Sequence, residues 1–178
     1  MMIDGILWLC ILFIAYVYVG YPALLTLLAY VFPQKQPGQI NSLPTVTLLI
    51  AAYNEEATIQ QKLENSLSLD YPPAQLQIVV AADGSDDGTV AIVEQYASRN
   101  IVLSYHPERC GKMAAINRAM PQAQGDIIVF SDANNMYDSA VLRELVRPFS
   151  EAFVGGVSGA KIIVKGDGAL GNSEGLYW

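Results

Sequence analysis

The sequence has little positive charge, and this shortage excludes one large class of proteins. Lysine and arginine together number 10, against 17 aspartates and glutamates, for a formal net charge of −7. The basic residues form no stripe, so the sequence does not predict a nucleic-acid binder. Acidic residues cluster in the proposed site loops rather than in a tail. That distribution favours a metal or hydroxyl-rich ligands.

Cysteine and histidine are also scarce. Cys10 lies in an apolar run and Cys110 beside a Gly-Lys pair, so a disulfide between them is not predicted. A lone cysteine in the soluble part suits a reducing compartment. The only histidine, His106, could serve as a general base, but its position next to Pro107 favours an ordinary loop residue.

Charge is missing altogether from a long stretch near the N-terminus. Residues 5–32 carry none, and a helix of that length would measure about 42 Å. One tilted span fits a bilayer core, which needs roughly 20 apolar residues, and two spans do not. We predict a retained transmembrane anchor at residues 3–32, which Pro22 either kinks or divides into a span and an interfacial helix.

A cleavable signal peptide is the alternative for this stretch. No basic residue precedes the apolar core, and the core is too long for a signal peptide. Asp4 is the only charge before the run, and Lys35 is the first basic residue after it. The positive-inside tendency therefore predicts a protein of the cell (inner) membrane, with the N-terminus on the outer side and the globular part in the cytosol. Residues 33–44, rich in proline and polar side chains, predict a linker.

Beyond the linker, strand-like and helix-like patterns alternate. Strands are predicted at residues 45–51, 76–82, 101–105, 127–130 and 157–164, and helices from Asn54 as cap to the stop at Tyr71-Pro72-Pro73, and at 89–98, 112–123 and 139–153. In the first helix, Ile59, Leu63 and Leu67 predict the buried face. This alternation with short connections defines an α/β fold with an open, mostly parallel sheet.

The fourth strand ends in a distinctive polar sequence. Residues 127–130 are all apolar, so they predict a buried parallel strand. Asp132 and Asn134 follow at its carboxyl end, where open α/β sheets bind ligands. Alternate side chains share a face, so both oxygens can meet a hard cation such as Mg²⁺ or Mn²⁺. The simpler alternative is that Asp132 caps a turn and the asparagines occupy loop positions.

Each of the first four strands is followed by a polar joint, by which we mean the segment between a strand and the next helix. In order, the joints contain Ala51-Ala-Tyr-Asn-Glu-Glu56, Asp83-Gly-Ser-Asp-Asp-Gly-Thr89, Gly111-Lys112 with Asn117 further on, and Asp132-Ala-Asn134. Any one of them could be only a helix cap, a tight turn or a solvated charge. Four in succession at the carboxyl ends of strands favour a nucleotide site.

Together these joints resemble the membrane-bound family 2 glycosyltransferases with a GT-A fold. The resemblance covers nearly all of residues 45–178, including the Val157-Ser-Gly-Ala and Glu174-Gly-Leu-Tyr-Trp178 stretches. It implies a GT-A nucleotide-diphospho-sugar-binding domain at residues 45–178 that is truncated at its C-terminus. The chain is therefore expected to be an N-terminal fragment of a longer enzyme.

The resemblance also implies roles for particular residues. The nucleotide-sugar donor is expected to contact Ala51, Tyr53, Glu55, Asp83, Lys112 and Asp132. Glu55 would lie near the ribose or base, Asp83 would accept hydrogen bonds from uracil or ribose, and Lys112 would sit by the diphosphate. Asp132, with Asn134, would bind Mg²⁺ or Mn²⁺ bridging that diphosphate, so that the leaving group departs with its charge neutralised.

Two departures from the family pattern concern this site. Asn134 stands where the family often has a second aspartate, so its uncharged oxygen is expected to bind more weakly or through water. Ala82 precedes Asp83 where many relatives carry two acids. In addition, the family's catalytic base, an aspartate in a later segment, has no counterpart before Trp178. The catalytic residue is therefore unknown, and this chain alone is expected to turn over poorly or not at all.

The sequence thus predicts an inverting glycosyltransferase at the cytosolic membrane face. It would move a sugar from a nucleotide-diphospho-sugar, a UDP-sugar in the first instance, to a polysaccharide or lipid-linked acceptor, with membrane lipid as a further partner. One alternative is a sugar-nucleotide nucleotidyltransferase, although the first joint lacks the glycine-rich basic loop such enzymes use. The other is a membrane-tethered nucleotide-sugar-binding module without activity, or an inactive protein whose acids are structural caps.

Overall fold

A computed structural model of the chain describes residues 2–32, 38 and 42–160. The chain divides into two compact units, Met1–Gln36 and Pro37–Trp178, and each is described by itself. Most of the predicted linker and the Glu174-Gly-Leu-Tyr-Trp178 stretch lie outside the described residues. Both cysteines are free thiols, as predicted.

The first unit is one continuous helix whose hydrogen bonding changes in the middle. α1 (Met2–Ala15) and α2 (Tyr21–Val31) are joined by a π-helical turn at Tyr16–Gly20. Pro22 lies in the first turn of α2, and the wider π turn accommodates a ring that would collide with the carbonyl four residues back. The predicted division into a span and a separate interfacial helix is therefore not observed. Asp4–Val31, with a mean hydropathy of 2.0, is long and apolar enough to cross a membrane.

In its described residues, the second unit is built on four parallel strands. They are β1 (Val46–Ala52), β2 (Leu76–Asp83), β3 (Ile101–His106) and β4 (Ile127–Asp132). Their order in the sheet is β3-β2-β1-β4. Ala51 pairs with Ala81 on one side and with Asp132 on the other, so the carboxyl ends of three strands lie side by side. The predicted α/β class with an open parallel sheet is confirmed.

Within residues 42–160, four α-helices follow the strands in turn. They are α3 (Glu56–Leu67), α4 (Thr89–Glu94), α5 (Lys112–Ala119) and α6 (Val141–Val146). The last three are shorter than predicted because they give way to 3₁₀ turns at Ala97–Arg99, Met120–Gln122 and Arg147–Ser150. Pro121 and Pro148 each lie at the start of such a turn, where a missing N–H breaks the α-helical pattern. Residues 157–160 have no regular secondary structure, and the rest of the predicted fifth strand lies outside the described residues.

Helices pack on both faces of the sheet. On one face, Leu48 and Ile50 of β1 belong to the main core with Ile59 and Leu63 of α3, all of them fully buried. This confirms the predicted inner face of α3, with Leu67 packed against the same cluster. On the other face, a smaller cluster joins β1 and β2 to the small side chains of α5: Leu49, Val79, Ala81, Ala115 and Ala119. Successive residues of β1 thus point to opposite faces.

The predicted parallel strand at residues 127–130 is present, but the prediction that it is buried is wrong for all of it except Val129. Ile127 and Ile128 are half-buried, and Phe130 is 55% exposed. In the described part of the chain, β4 pairs only with β1 and forms an edge of the sheet. An unbroken apolar run is typical of a covered central strand, and the run itself does not say which strand lies at an edge.

Replacing Leu63 by alanine tests the packing of α3. Leu63 is fully buried, so Leu63→Ala should lower the free energy of unfolding by about 2–5 kcal/mol through lost burial and a residual cavity. Unfolding in urea of the detergent-solubilised chain, followed by circular dichroism, measures it. Gln61→Ala, at an exposed position of the same helix, should change stability by less than about 0.5 kcal/mol. Equal stabilities for the two variants would contradict the packing described here.

Candidate donor-binding site

The carboxyl ends of β1, β2 and β4 border one cavity of about 310 Å³. All seven residues that the sequence predicted for the site line it: Ala51, Tyr53, Glu55, Asp83, Lys112, Asp132 and Asn134. Ala52, Arg109 and Gly111 complete the lining. The volume falls in the range of small-molecule pockets, roughly 300–1,000 Å³. The fold brings the predicted residues together, while their contacts with a ligand stay predictions.

Asn54 and Asp86 connect the first two joints. The amide nitrogen of Asn54 donates to Asp86 Oδ1 at 2.7 Å, and the backbone N–H of Asp86 donates to Asn54 Oδ1 at 3.1 Å. Asn54 has a φ of 52°, a conformation that asparagine tolerates better than most residues. The prediction that Asn54 caps the helix is wrong, because α3 begins at Glu56 and the side chain reaches across to the second joint.

Asp87 is also a scaffold residue. Its Oδ1 accepts hydrogen bonds from the N–H and hydroxyl of Thr89, at 3.0 and 2.5 Å, and its Oδ2 accepts one from the N–H of Glu56 at 3.1 Å. The Glu56 carboxylate in turn accepts from the N–H of Gly88 at 3.0 Å. Burial raises the pKa of Asp87, but the bonds from Thr89 and Glu56 outweigh it, so the pKa lies below its ordinary value. Asp87 therefore holds the start of α4 against the start of α3.

Asp83, at the end of β2, is 3% exposed and is held by donors from the third joint and from α5. Its Oδ2 accepts from the N–H groups of Cys110 and Gly111 at 2.9 and 2.6 Å, and its Oδ1 accepts from Arg118 at 3.0 Å. Burial raises the pKa of Asp83, but the bonds from Arg118, Gly111 and Cys110 outweigh it and hold the pKa below its ordinary value. A carboxylate offers about four acceptor positions, so about one is left for a ligand.

Gly84 allows the third joint to approach the second closely. Its φ is +66°, and its N–H donates to the carbonyl of His106 at 2.8 Å. A β carbon at this position would lie 2.5 Å from the backbone nitrogen of Arg109. Glycine is required here both by the left-handed backbone and by the space.

Arg109 is a cavity residue that sequence reasoning missed. Its guanidinium carbon lies 3.8 Å from the centroid of the Tyr53 ring, within the range of a cation–π contact. The only indication in the sequence was that Arg109 is a basic residue two positions before Gly111, in the third joint, which also contains the Gly111-Lys112 pair. Arg109 and Tyr53 together give one wall of the cavity a cationic and aromatic surface.

Lys112 and Asp132 form an ion pair across the cavity. The ammonium of Lys112, the first residue of α5, contacts Asp132 Oδ1 at the end of β4. Both side chains are about half exposed, so solvent screens the pair and it contributes little to stability. The exposed side chain of Asn134 lines the cavity two residues further on. The carboxylate is thus close to solvent, with an exchangeable partner.

The donor set of this cavity suits a cation that brings part of its own coordination shell. The described residues contain no cluster of three or more His, Cys, Asp or Glu side chains that could hold a metal. Asp132 and Asn134 supply one carboxylate and one amide oxygen. Mg²⁺ is commonly bound by one or two carboxylates together with waters and substrate phosphates. The residues present therefore fit Mg²⁺ or Mn²⁺ when a diphosphate completes the coordination.

Solved GT-A glycosyltransferases share this open parallel sheet. The mannosyltransferase PcManGT from Pyrobaculum calidifontis, solved with GDP-Man and Mn²⁺, superposes with a TM-score of 0.69 and 30% sequence identity, over 79% of this chain and 43% of that one. Staphylococcus aureus TarS, solved with UDP-GlcNAc, gives 0.52 and 28%, over 56% and 29%. The chain belongs to glycosyl transferase family 2, whose family model matches residues 47–174.

Two relatives named for their products match most of this chain. The β-monoglucosyldiacylglycerol synthase of Trichormus variabilis is 32% identical over 141 residues, which are 77% of this chain and 29% of the relative. The poly-β-1,6-N-acetyl-D-glucosamine synthase of Staphylococcus aureus is 28% identical over 147 residues, 82% of this chain and 35% of the relative. The chain thus spans about a third or less of these relatives.

Acid unfolding tests the charge state of Asp83. Because folding lowers its pKa, the carboxylate stabilises the folded chain fully above the unfolded-state pKa, and this contribution is lost as pH falls through the folded-state pKa. Asp83→Asn should lower the unfolding free energy at neutral pH by roughly 1–3 kcal/mol. When the pH is lowered to about 4 or below, Asp83→Asn should also lose less additional unfolding free energy than the wild type does.

Urea unfolding midpoints at the two pH values measure both effects. Glu94→Gln, at an exposed position of α4, is the matched control and should behave like the wild type at both. The same acid sensitivity in Asp83→Asn and in the wild type would show that Asp83 is not the group responsible.

Proposed function

We propose that this chain contains the donor-binding part of an inverting glycosyltransferase that uses a nucleotide-diphospho-sugar, a UDP-sugar in the first instance. The observation that carries the proposal is the convergence of the seven predicted residues on one cavity, which includes both of the metal-binding candidates. The acceptor is a polysaccharide or a lipid-linked sugar. The glycolipid and polysaccharide synthases among the relatives support these two acceptor classes.

The cavity has one end suited to a nucleoside and another suited to a diphosphate. Tyr53 and Arg109 offer a flat surface for a base, and Glu55 and Asp83 offer acceptors for base N–H or ribose hydroxyl groups. At the other end, Lys112 provides a cation beside Asp132. The solved neighbours with GDP-Man and with UDP-GlcNAc support a nucleotide-sugar donor.

Asp132 and Asn134 would hold Mg²⁺ or Mn²⁺, which would neutralise the charge that develops on the leaving diphosphate. Lys112 now pairs with Asp132. If Asp132 held the ion, the Lys112 ammonium would be free to pair with a phosphate oxygen instead. Loss of the Lys112–Asp132 ion pair would cost little, because that pair is exposed and weak.

Sugar transfer also needs a group to take the acceptor's proton. The acceptor hydroxyl oxygen forms a bond to the anomeric carbon while the bond to the diphosphate oxygen breaks, and the hydroxyl proton passes to a general base. In the described residues, each cavity carboxylate already has a partner: Glu55 with the Thr58 hydroxyl at 2.6 Å, Asp83 with Arg118, and Asp132 with Lys112. We infer that the base lies outside the described residues.

The helical unit supports a location at the membrane. We propose an anchor at residues 3–32, a linker at 33–44 and a glycosyltransferase domain at 45–178, with the N-terminus outside and the domain on the cytosolic side of the cell membrane. Asp4–Val31 has the length and composition of a span, and Lys35 follows it. An anchor of this kind keeps the donor site near a lipid-linked acceptor or a nascent polysaccharide.

Titration of UDP into the detergent-solubilised chain tests the donor site. With Mn²⁺ present, UDP should bind, and removal of Mn²⁺ with EDTA should weaken binding by at least about tenfold. Asp132→Asn should bind UDP equally weakly with and without Mn²⁺, because the metal-binding carboxylate is gone. Isothermal titration calorimetry measures each affinity.

Asp126→Asn is the matched control for this titration. Asp126 is an exposed aspartate at the amino end of β4, where it accepts hydrogen bonds from Thr45, so its loss should leave UDP affinity unchanged. A folded wild-type chain that does not bind UDP would contradict the proposal. So would an Asp132→Asn variant that keeps the full Mn²⁺ dependence.

Residues 1–178 alone should bind donor without transferring sugar, because we propose that the family's base comes from a segment after Trp178. Radiolabelled UDP-glucose and UDP-GlcNAc, incubated with diacylglycerol or with chitooligosaccharide and Mn²⁺, should give no labelled product above an enzyme-free blank. Labelled glycolipid or lengthened oligosaccharide would show that the chain holds its own base.

A further inference from the structure

Lys62, in the middle of α3, is a lysine with no exposed surface. Burial lowers the pKa of Lys62 to about 8, and the negative charge of Asp132 opposes that shift. A buried ammonium is costly unless it is paired. An apolar side chain of similar length would fill the same space without that cost. The presence of a charge at this position therefore calls for a specific partner.

Both partners of Lys62 lie in the segment that follows β4. Its Nζ donates a hydrogen bond to the carbonyl oxygen of Asn135 at 2.5 Å. The same nitrogen lies 3.8 Å from the centroid of the Tyr137 ring, a cation–π contact in a desolvated setting. Lys62 thus joins the middle of α3 to residues 135 and 137.

Asn65 makes a second connection to the same segment. Its amide nitrogen donates to the Tyr137 carbonyl at 2.9 Å, and its Oδ1 accepts from the Tyr137 N–H at 2.9 Å. Residues three apart lie on one face of a helix, so Lys62 and Asn65 act from the same side of α3. We call this pair the α3 clamp.

The segment held by the α3 clamp carries the two candidate metal-binding side chains. Asp132 ends β4, Ala133 is completely buried, and the exposed Asn134 lines the cavity. Asn135 is then fixed by Lys62. The backbone is therefore held on both sides of Asn134, by a buried methyl group before it and by a buried ammonium after it. Neighbouring contacts of this kind set the geometry of metal-binding groups.

We propose that Lys62 is a positioning residue of the donor site, which, together with Asn65, holds residues 133–137 so that Asp132 and Asn134 meet the same divalent ion. The inference rests on the proposed function. A divalent ion with a nucleoside diphosphate carries a net negative charge, so the buried ammonium also attracts the pair, whereas it repels the ion alone. The effect of Lys62 should therefore be seen in the binding of metal and nucleotide together.

Two variants of the full chain in detergent test this role. Lys62→Met keeps the length of the side chain and removes its charge, and Asn65→Ala removes the second connection. Ile59→Val is the control, since Ile59 is fully buried one turn earlier in α3 and belongs to the core cluster. Circular dichroism establishes that each variant is folded. If Lys62→Met does not fold, Asn65→Ala still tests the α3 clamp.

The first measurement is hydrogen–deuterium exchange without ligand. Peptides covering residues 133–137 should exchange at least about tenfold faster in Lys62→Met and in Asn65→Ala, because local opening becomes easier, while peptides from β2 keep their protection. Ile59→Val should show no increase confined to residues 133–137. This measurement depends on neither metal nor nucleotide.

The second measurement is the affinity for UDP with Mn²⁺ and with EDTA. Lys62→Met should bind UDP about tenfold more weakly with Mn²⁺, and within about twofold of the wild type in EDTA. A variant that was merely less stable would bind normally while folded, as Ile59→Val should.

Two results would overturn the proposal. One is unchanged exchange of residues 133–137 in both clamp variants. The other is faster exchange combined with wild-type Mn²⁺-dependent affinity, which would make the contact structural only. If the wild type itself shows no Mn²⁺-dependent UDP binding, the proposed function is wrong and the role of Lys62 in donor binding falls with it. Exchange would then still decide whether the α3 clamp holds the segment.

Discussion

Parallel hydrogen bonding of β1 to β2 on one side and to β4 on the other sets the positions of the joints that form the cavity. Ala52 pairs with Ala82, and Ala51 pairs with Asp132, so each joint starts at the same edge, with adjacent strands about 4.8 Å apart. A slip of one residue would turn every side chain of a strand to the other face. In β1, Leu48 packs with α3 on one face and Leu49 with α5 on the other, so such a slip would require both core clusters to repack.

The acidic residues of the joints divide into scaffold and cavity groups. Asp86 accepts a hydrogen bond from the Asn54 amide, and Asp87 accepts bonds from Glu56 and Thr89, so both acids fix the first two joints against each other. Their hydrogen bonds serve the scaffold. A count of acids near strand ends therefore overestimates the number of metal ligands, and only the geometry separates the two groups.

Two lysines place positive charge on opposite sides of Asp132. Lys112 contacts the carboxylate from the solvent side, while Lys62 acts from the buried side through Asn135 and Tyr137. The Lys112 side chain is about half exposed, whereas Lys62 is fully buried. This arrangement suits a site where a cation and an anionic diphosphate arrive together, because the protein need not carry a large excess of either charge.

The sequence by itself determined the class of fold and the order of the joints, because strand alternation and polar joints are local patterns. The seven predicted residues came from the resemblance of those joints to a known family, and parallel pairing of the strands brings them to one cavity. The sequence did not predict the cross-joint partner of Asn54, the exposure of Phe130, the bond from Arg118 to Asp83, or the burial of Lys62. Only the tertiary structure decided these features. Each depends on which distant segment packs beside the residue, and periodicity along the chain holds no information on that choice.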